Sequence, residues 1–197
     1  MAVTSTFGLL ERFKNGDQEA FAQLFQKYRA RLAVLIYYKL SDKLRQRVEV
    51  DDILQEVFFT ASNEIGKFTY RSPCSFLAWL TRLADHIIID TARFESRQKR
   101  HAAEMLRFRS ESNPLGPDPA DSKTPSRLYA AQEAIEKLVQ KLDALTEDYR
   151  QVILLAKLEG LTTQEVAEQM GKSREAVALL LHRALQRFRQ LDQQEQR

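Results

Sequence analysis

An all-α fold is predicted: two small helical domains joined by a proline-rich linker, the C-terminal one a helix-turn-helix. Three observations predict it. Apolar residues recur at i, i+3 and i+4 through both halves of the 197-residue chain, with Gly and Pro rarely interrupting and no convincing strand pattern. Four of the five prolines, Pro114, Pro117, Pro119 and Pro125, crowd together beside Gly116, Asp118, Asp121, Ser122 and Ser126, and no periodic apolar signal crosses them. Near the C-terminus a short capped helix, a glycine turn and a longer basic helix follow one another. The expected division is 1–110, an extended linker at 111–127, and 128–197.

Each element has a local reason. Leu9, Leu10 and Phe13 precede a break at Gly16-Asp17, where Asp17 can cap a new helix. Phe21, Leu24, Phe25, Tyr28, Leu32, Leu35 and Ile36 then form one long apolar face. The next helix uses Val50, Ile53, Leu54, Val57, Phe58, Ala61 and Ile65. After a loop at 66–74, a helix over 75–97 is buried through Phe76, Leu77, Leu80, Leu83, Ala84, Ile87, Ile88 and Phe94. Beyond the linker, Leu128, Ala131, Ile135, Leu138, Val139 and Leu142 make one face. Thr146 is placed to cap the following helix, with Glu147 and Asp148 in its first turn, and Gly160 stops it. Thr162 to Glu165 reads as a capping box opening a short helix through Val166, Ala167 and Met170. Gly171-Lys172 turns the chain, and Ser173 caps a last helix with core positions Ala176, Val177, Leu180, Leu181, Ala184, Leu185 and Phe188.

Composition removes several classes of function. No apolar run reaches the ~18–20 residues that span a bilayer, and Met1 to Lys14 holds no signal-peptide core, so no membrane is expected. The single Cys74 excludes an internal disulfide framework and a zinc finger, and fits a cytoplasmic location. The three histidines, His86, His101 and His182, lie far apart, and the six glycines form no phosphate-cradling loop. Neither metal nor cofactor is expected. No nucleophile–base constellation exists, so the chain reads as no enzyme.

Charge is unevenly placed. Arg93 to Arg109 carries six basic residues against two acidic, and Lys172 to Gln190 five against one. Two such stretches suggest two contacts with a polyanion, although solvated helix faces explain them equally well on charge alone. On the helix over 50–65 the outward face holds Asp52, Gln55, Glu56, Phe59 and Asn63. An aromatic on an acidic stripe either marks a protein partner or tucks under a neighbouring helix. Along the 75–97 helix, Trp79, Arg82, His86, Asp90, Arg93 and Arg97 follow at steps of three or four and so share one stripe. Its cations attract phosphates, and Trp79 offers a surface for an unpaired base. The preceding loop adds Phe68, Tyr70 and Arg71. The competing reading puts Phe68 and Trp79 in the core.

The helix-turn-helix is the sharpest signal, because caps, turn glycine and apolar spacing agree. The turn and outward face of its last helix hold Lys172, Ser173, Arg174, Glu175, Ala178, Leu179, His182, Arg183 and Gln186. The recognition side chains among these would meet the major groove, with Lys172, Arg187 and Arg189 placed for phosphates.

These stretches carry a resemblance. Gly16-Asp17 with Ala20-Phe21, Asp52 through Phe58, Phe76 with Trp79-Leu80 and Arg82-Leu83-Ala84, Asp90 with Arg93, and the segment ending Leu181-His182-Arg183-Ala184 are similar, in order, to the extracytoplasmic-function (ECF) group of bacterial RNA polymerase sigma factors. The resemblance implies a promoter-recognition subunit whose partners are core RNA polymerase, promoter DNA and, as a candidate regulator, an anti-sigma factor. It implies that the face with Asp52, Gln55, Glu56 and Phe59 docks on the clamp helices of the largest polymerase subunit. The loop at 66–75 would capture a flipped base of the −10 element, with Arg82, His86, Arg93 and Arg97 along the melted strand, and the helix-turn-helix would read the −35 element. His86 stands where the group usually has Asn, and Ala178 and Leu180 stand where it often has basic residues; fewer phosphate contacts imply weaker −35 binding. The alternative from another class is a helix-turn-helix regulator acting without polymerase, for which the chain shows no dimerisation helix.

Overall fold

The computed structural model describes residues 5–71, 73–109 and 127–195, and among these every regular element is a helix. In chain order they are α1 (Thr6–Lys14), α2 (Gln18–Lys39), α3 (Asp42–Arg45), α4 (Val50–Glu64), a 3-10 turn at Ile65–Lys67, α5 (Pro73–Arg109), α6 (Arg127–Asp143), α7 (Glu147–Ile153), α8 (Thr163–Met170) and α9 (Arg174–Glu195). Between α7 and α8 lies a π-helical segment, Leu154–Glu159. The prolines at 114–125 fall outside the described residues. None of the described helices is long and apolar enough to cross a membrane.

Local chemistry sets the helix ends. The Ser5 hydroxyl accepts from the Gly8 N–H (3.0 Å), and the Asp17 carboxylate accepts from Ala20 N–H (3.2 Å), as the Gly16-Asp17 break implied. Asp17 also accepts from Arg12 Nε at 2.9 Å, and that bond together with the Ala20 N–H holds its carboxyl below the usual range. Thr146 occupies the cap position of α7, but its side chain makes no capping bond there. The Thr162–Glu165 capping box is complete.

Two clusters of buried side chains result. The first joins α1, α2, α4 and the start of α5 through Leu10, Leu24, Leu32, Ile36, Leu54, Val57, Phe76, Leu77 and Leu80. Arg29, nearly buried, is neutralised by Asp51 at 2.9 Å, which is what permits a guanidinium inside this bundle. Phe94 departs from expectation: it is 57 % exposed, on the same outward side of α5 as Asp90, Arg93 and Arg97, while Ala92 and Glu95 nearby stay partly covered. Ala176, expected in the core, is exposed as well.

The second cluster holds Val139, Leu142, Leu145, Val152, Ile153, Val166, Val177 and Ala184, and it also contains Val34 and Leu35 of α2. From the sequence, Phe21 to Ile36, Leu35 included, reads as one long apolar face. Instead Leu32 and Ile36 face one cluster while Val34 and Leu35 fill the other, so α2 is apolar nearly all round over 32–36. Burying those two side chains is worth ~1.5–3 kcal/mol each.

Polar contacts rim this seam. Tyr38 Oη donates to Asp143 (2.8 Å), with the Arg150 guanidinium 5.7 Å from the Tyr38 ring centre. Arg31 donates to the Lys157 carbonyl. Lys39 Nζ lies 3.1 Å from both Asp85 and Glu159. Burial works to lower the Lys39 ammonium, but the Glu159 and Asp85 carboxylates outweigh it and hold its pKa above the ordinary value. A cavity of about 620 Å³ lies beside the seam, lined by Tyr37, Val50, Asp51, Ile135, Val139 and Asp143 among others.

Candidate nucleic-acid and partner surfaces

Three surfaces carry the residues singled out from the sequence. On α4, Asp52, Gln55, Glu56 and Phe59 are all exposed, with Phe59 at 65 %. Among the described residues no neighbouring helix covers Phe59. Asp51, next to Asp52 in sequence, turns inward to Arg29, so two adjacent carboxylates have different work: one holds the bundle, the other faces out.

The second surface is a groove of about 490 Å³ where the 3-10 turn and its loop meet α5, lined by Lys67, Phe68, Thr69, Arg71, Ser75, Ala78, Trp79 and Arg82. It brings together Phe68, Arg71, Trp79 and Arg82. The alternative left open for Phe68 is the one found: it is only 9 % exposed, packed against Phe76 (5.4 Å) and stacked on Trp79 (4.9 Å, 29° between planes). Phe68 thus backs Trp79 from inside, and Trp79, half-buried, is the more open of the two aromatics that line the groove. Tyr70 does not line it; its ring packs 5.4 Å from Phe7. The Lys14 ammonium donates to the Phe68 carbonyl at 3.3 Å and the Ser75 hydroxyl accepts from the Arg71 N–H at 3.2 Å, pinning both ends of the loop. Lys67, Thr69, Ser75 and Ala78 were not singled out. Lys67 and Thr69 were visible as members of an aromatic-basic loop, whereas Ser75 and Ala78 are small residues whose position depends on packing.

From this groove, Arg82, His86, Asp90, Arg93 and Arg97 continue as an exposed line along α5. Trp79 to Arg97 covers roughly 27 Å at the α-helical rise. Arg93 is shared with Asp90 at 3.2 Å, both well exposed, so the pair holds the guanidinium only weakly. A shallower depression of about 530 Å³ gathers Ile89, Ala92, Arg93, Ser96 and Arg97. Cations in a row beside an aromatic platform suit a single strand with bases turned out.

The third surface is α8–turn–α9. Thr162 N–H and hydroxyl both donate to Glu165 (2.7 Å each), and the Thr162 hydroxyl accepts from the Glu165 N–H (3.3 Å). These bonds hold the Glu165 carboxyl below its usual range, the Thr162 backbone N–H contributing most. Gly171 closes α8 at φ +62, with Lys172 N–H reaching the Ala167 carbonyl (3.0 Å) and Gly171 N–H the Glu168 carbonyl (3.4 Å). Ser173 then caps α9 by accepting from Ala176 N–H at 3.2 Å. Arg174, Glu175, Ala178, Leu179, His182, Arg183 and Gln186 are all exposed, and Leu179 stands 50 % open at the centre of that face. Lys172 is paired with Asp148 at 3.2 Å. Among the described residues no group of acidic, histidine or cysteine side chains could hold a metal.

A helical protein with a capped helix-turn-helix and a separate aromatic-cationic groove has the features of a nucleic-acid-binding protein. Residues 3–196 match the family described as ECF sigma factor, and the chain belongs to that family. Its function is that of an RNA polymerase sigma factor. It is 30 % identical over 186 residues to the ECF RNA polymerase sigma factor BldN of Streptomyces coelicolor, covering 93 % of this chain and 64 % of that protein. It is 28 % identical to the RNA polymerase sigma factor CarQ of Myxococcus xanthus, covering 92 % of this chain and 94 % of the relative. A solved structure of CnrH in complex with the cytosolic domain of CnrY aligns with 93 % of this chain and 94 % of its own, at 24 % identity and a TM-score of 0.42.

Proposed function

We propose that this sigma factor divides promoter recognition between two domains, 1–110 and 128–197, joined by a linker at 111–127. The exposed α4 face with Asp52, Gln55, Glu56 and Phe59 docks on the clamp helices of the largest subunit of core RNA polymerase. The groove at Trp79, with Arg71 and Arg82, takes an unpaired base of the −10 element. His86, Arg93 and Arg97 follow the melted strand, with Phe68 as the support of the platform and Tyr70 at the loop's outer edge. Lys172 to Gln186 reads the −35 element, and Ala178 and Leu179 make that reading partly apolar, suited to thymine methyl groups.

On this reading the protein is not itself an enzyme: strand opening draws on binding energy for unpaired bases, and nucleotide addition belongs to the polymerase. It works in the cytoplasm without a membrane, and an anti-sigma factor is a candidate partner. The observation that carries the reading is the placement of an acidic-aromatic face, an aromatic-cationic groove and an exposed helix-turn-helix face on α4, α5 and α9 of one chain.

Reconstitution tests it. With core polymerase the wild type should direct initiation from a promoter selected from random DNA. Asp52→Arg with Glu56→Arg should lose competition for core enzyme by at least about tenfold while still folding, since both side chains are exposed. Binding of duplex DNA by a dimer, with no association with core enzyme, would overturn the proposal in favour of an independent regulator.

A further inference from the structure

We infer that α1 carries a second base platform: the exposed ring of Phe7, backed by Tyr70 and flanked by Lys14, takes an unpaired nucleotide close along the strand to the one held at Trp79. This rests on the function proposed above and extends it to two residues of α1, Phe7 and Lys14.

The first turn of α1 is fixed from beneath. Thr6, Leu9 and Leu10 are buried, and the Thr6 hydroxyl lies 2.7 Å from Tyr28 Oη while accepting from Lys27 Nζ at 3.0 Å. With the Ser5 cap, these contacts hold the turn in one orientation and leave Phe7 facing outward, 51 % exposed. Phe7, Glu11 and Lys14 follow at steps of four and three, so all three exposed side chains share one side of the helix. A lone phenylalanine on a surface needs no explanation. This one has a second ring behind it and cations beside it.

Both ends of that stripe hold the loop. The Phe7 ring lies 5.4 Å from the Tyr70 ring at 50°, and Lys14 Nζ donates to the Phe68 carbonyl at 3.3 Å. Rings this close and this tilted leave no slot between them, so a base would lie on the outer face of Phe7. Tyr70, half-buried against the first cluster, stands behind it. The build repeats that of Trp79, which has Phe68 stacked behind it at 4.9 Å. Phe68 and Tyr70 are two positions apart, so their Cα atoms are separated by no more than about 7 Å. One strand crossing the loop therefore meets both platforms within a few nucleotides. Lys14, Lys67 and Arg71, all exposed, border that path and match the charge of its phosphates. An ammonium has three donors, of which Lys14 gives one to Phe68. Glu11, the carboxylate on the stripe, keeps the phosphates toward Lys14 and the loop. Stacking on a ring face reads no base identity, so the site is blind to sequence.

Holoenzyme assembled from core polymerase and the full chain tests this on forked promoter DNA with an unpaired −10 strand. Trp79→Ala first marks the groove-bound nucleotide, as the position where an abasic site costs the variant nothing further. Each of the three nucleotides on either side is then made abasic in turn. In the wild type, one of these positions should weaken binding by about fivefold or more, while all four bases there bind alike. Phe7→Ala should show that loss with intact DNA and no further loss with the abasic strand, and Phe7→Trp should restore binding. The thermal midpoint of Phe7→Ala should stay near that of the wild type, because the ring is exposed. A Phe7→Ala holoenzyme that binds every DNA like the wild type would overturn the platform. So would a Phe7→Ala protein that loses competition for core enzyme without the abasic pattern, which would make this face of α1 a polymerase contact. Sensitivity to the groove-bound base alone would overturn the second platform and leave the reading of Trp79 standing. Insensitivity to every unpaired base would overturn both.

Discussion

The groove beside Trp79 and the outward face of α9, the two surfaces proposed to bind DNA, both carry cations, yet they are built in opposite ways. The groove is tertiary: Trp79 lies on Phe68, Phe68 on Phe76, and the loop is tied by Lys14 from α1. Residues 54 positions apart must meet before that surface exists. The α9 face needs little beyond its own neighbourhood, a capping box, a left-handed glycine and a serine cap within a dozen or so residues. A platform for an unpaired base must be rigid from beneath, because stacking contributes only ~1–3 kcal/mol per base and any tilt of the ring forfeits part of it. A duplex-reading helix has its partner's shape supplied by the groove, so holding its N-terminus in place suffices.

That contrast can be broken at three points, in falling order of effect. Phe68→Ala should cost about 3 kcal/mol or more of stability in the N-terminal cluster, seen as a lowered thermal midpoint, since it leaves a cavity between Trp79 and Phe76. Trp79→Ala should cost less stability but weaken strand opening by ~1–3 kcal/mol, read as lost permanganate reactivity at −10 with polymerase binding intact. If the two variants proved indistinguishable in both assays, backing and platform would not be separate roles. Next, Gly171→Ala should destabilise the turn by roughly 1–2 kcal/mol. A Cβ built there meets nothing within 4 Å, so the whole cost is the left-handed backbone, and −35 affinity should fall while engagement of pre-melted −10 DNA is unchanged.

The smallest effect is the capping box in acid. Glu165 sits below its ordinary value of 4.5 because Thr162 donates to its ionised form. Its contribution is therefore complete above that value and lost as pH falls through the lower, folded-state value. Amide exchange in the first turn of α8 should accelerate below pH 4.5, and Glu165→Gln should flatten that dependence. Exchange in α5 should not follow it.

Much of the fold was legible, and for a stated reason: helix faces and most caps are written in residues three or four apart. Thr162, Glu165, Gly171 and Ser173 could be placed without knowing anything of α2. Of the site, the outward stripe of α5 and the exposed face of α4 were readable in the same way, because a helix of known period fixes which residues share a side. The loop was readable as aromatic and basic, but not which aromatic would be inside.

Sequence by itself determined the all-helical class, the glycine turn and its caps, and the family to which the chain belongs. Tertiary structure alone decided that Asp51 serves Arg29 while Asp52 faces outward, that Phe68 is buried support and Trp79 half-buried at the groove, and that Leu35, with Val34 beside it, packs in the second cluster. Hydrogen bonds within a turn are settled by neighbours along the chain. The partner of an apolar or charged side chain is whichever distant surface arrives with the matching shape and sign, and no spacing along one helix encodes that.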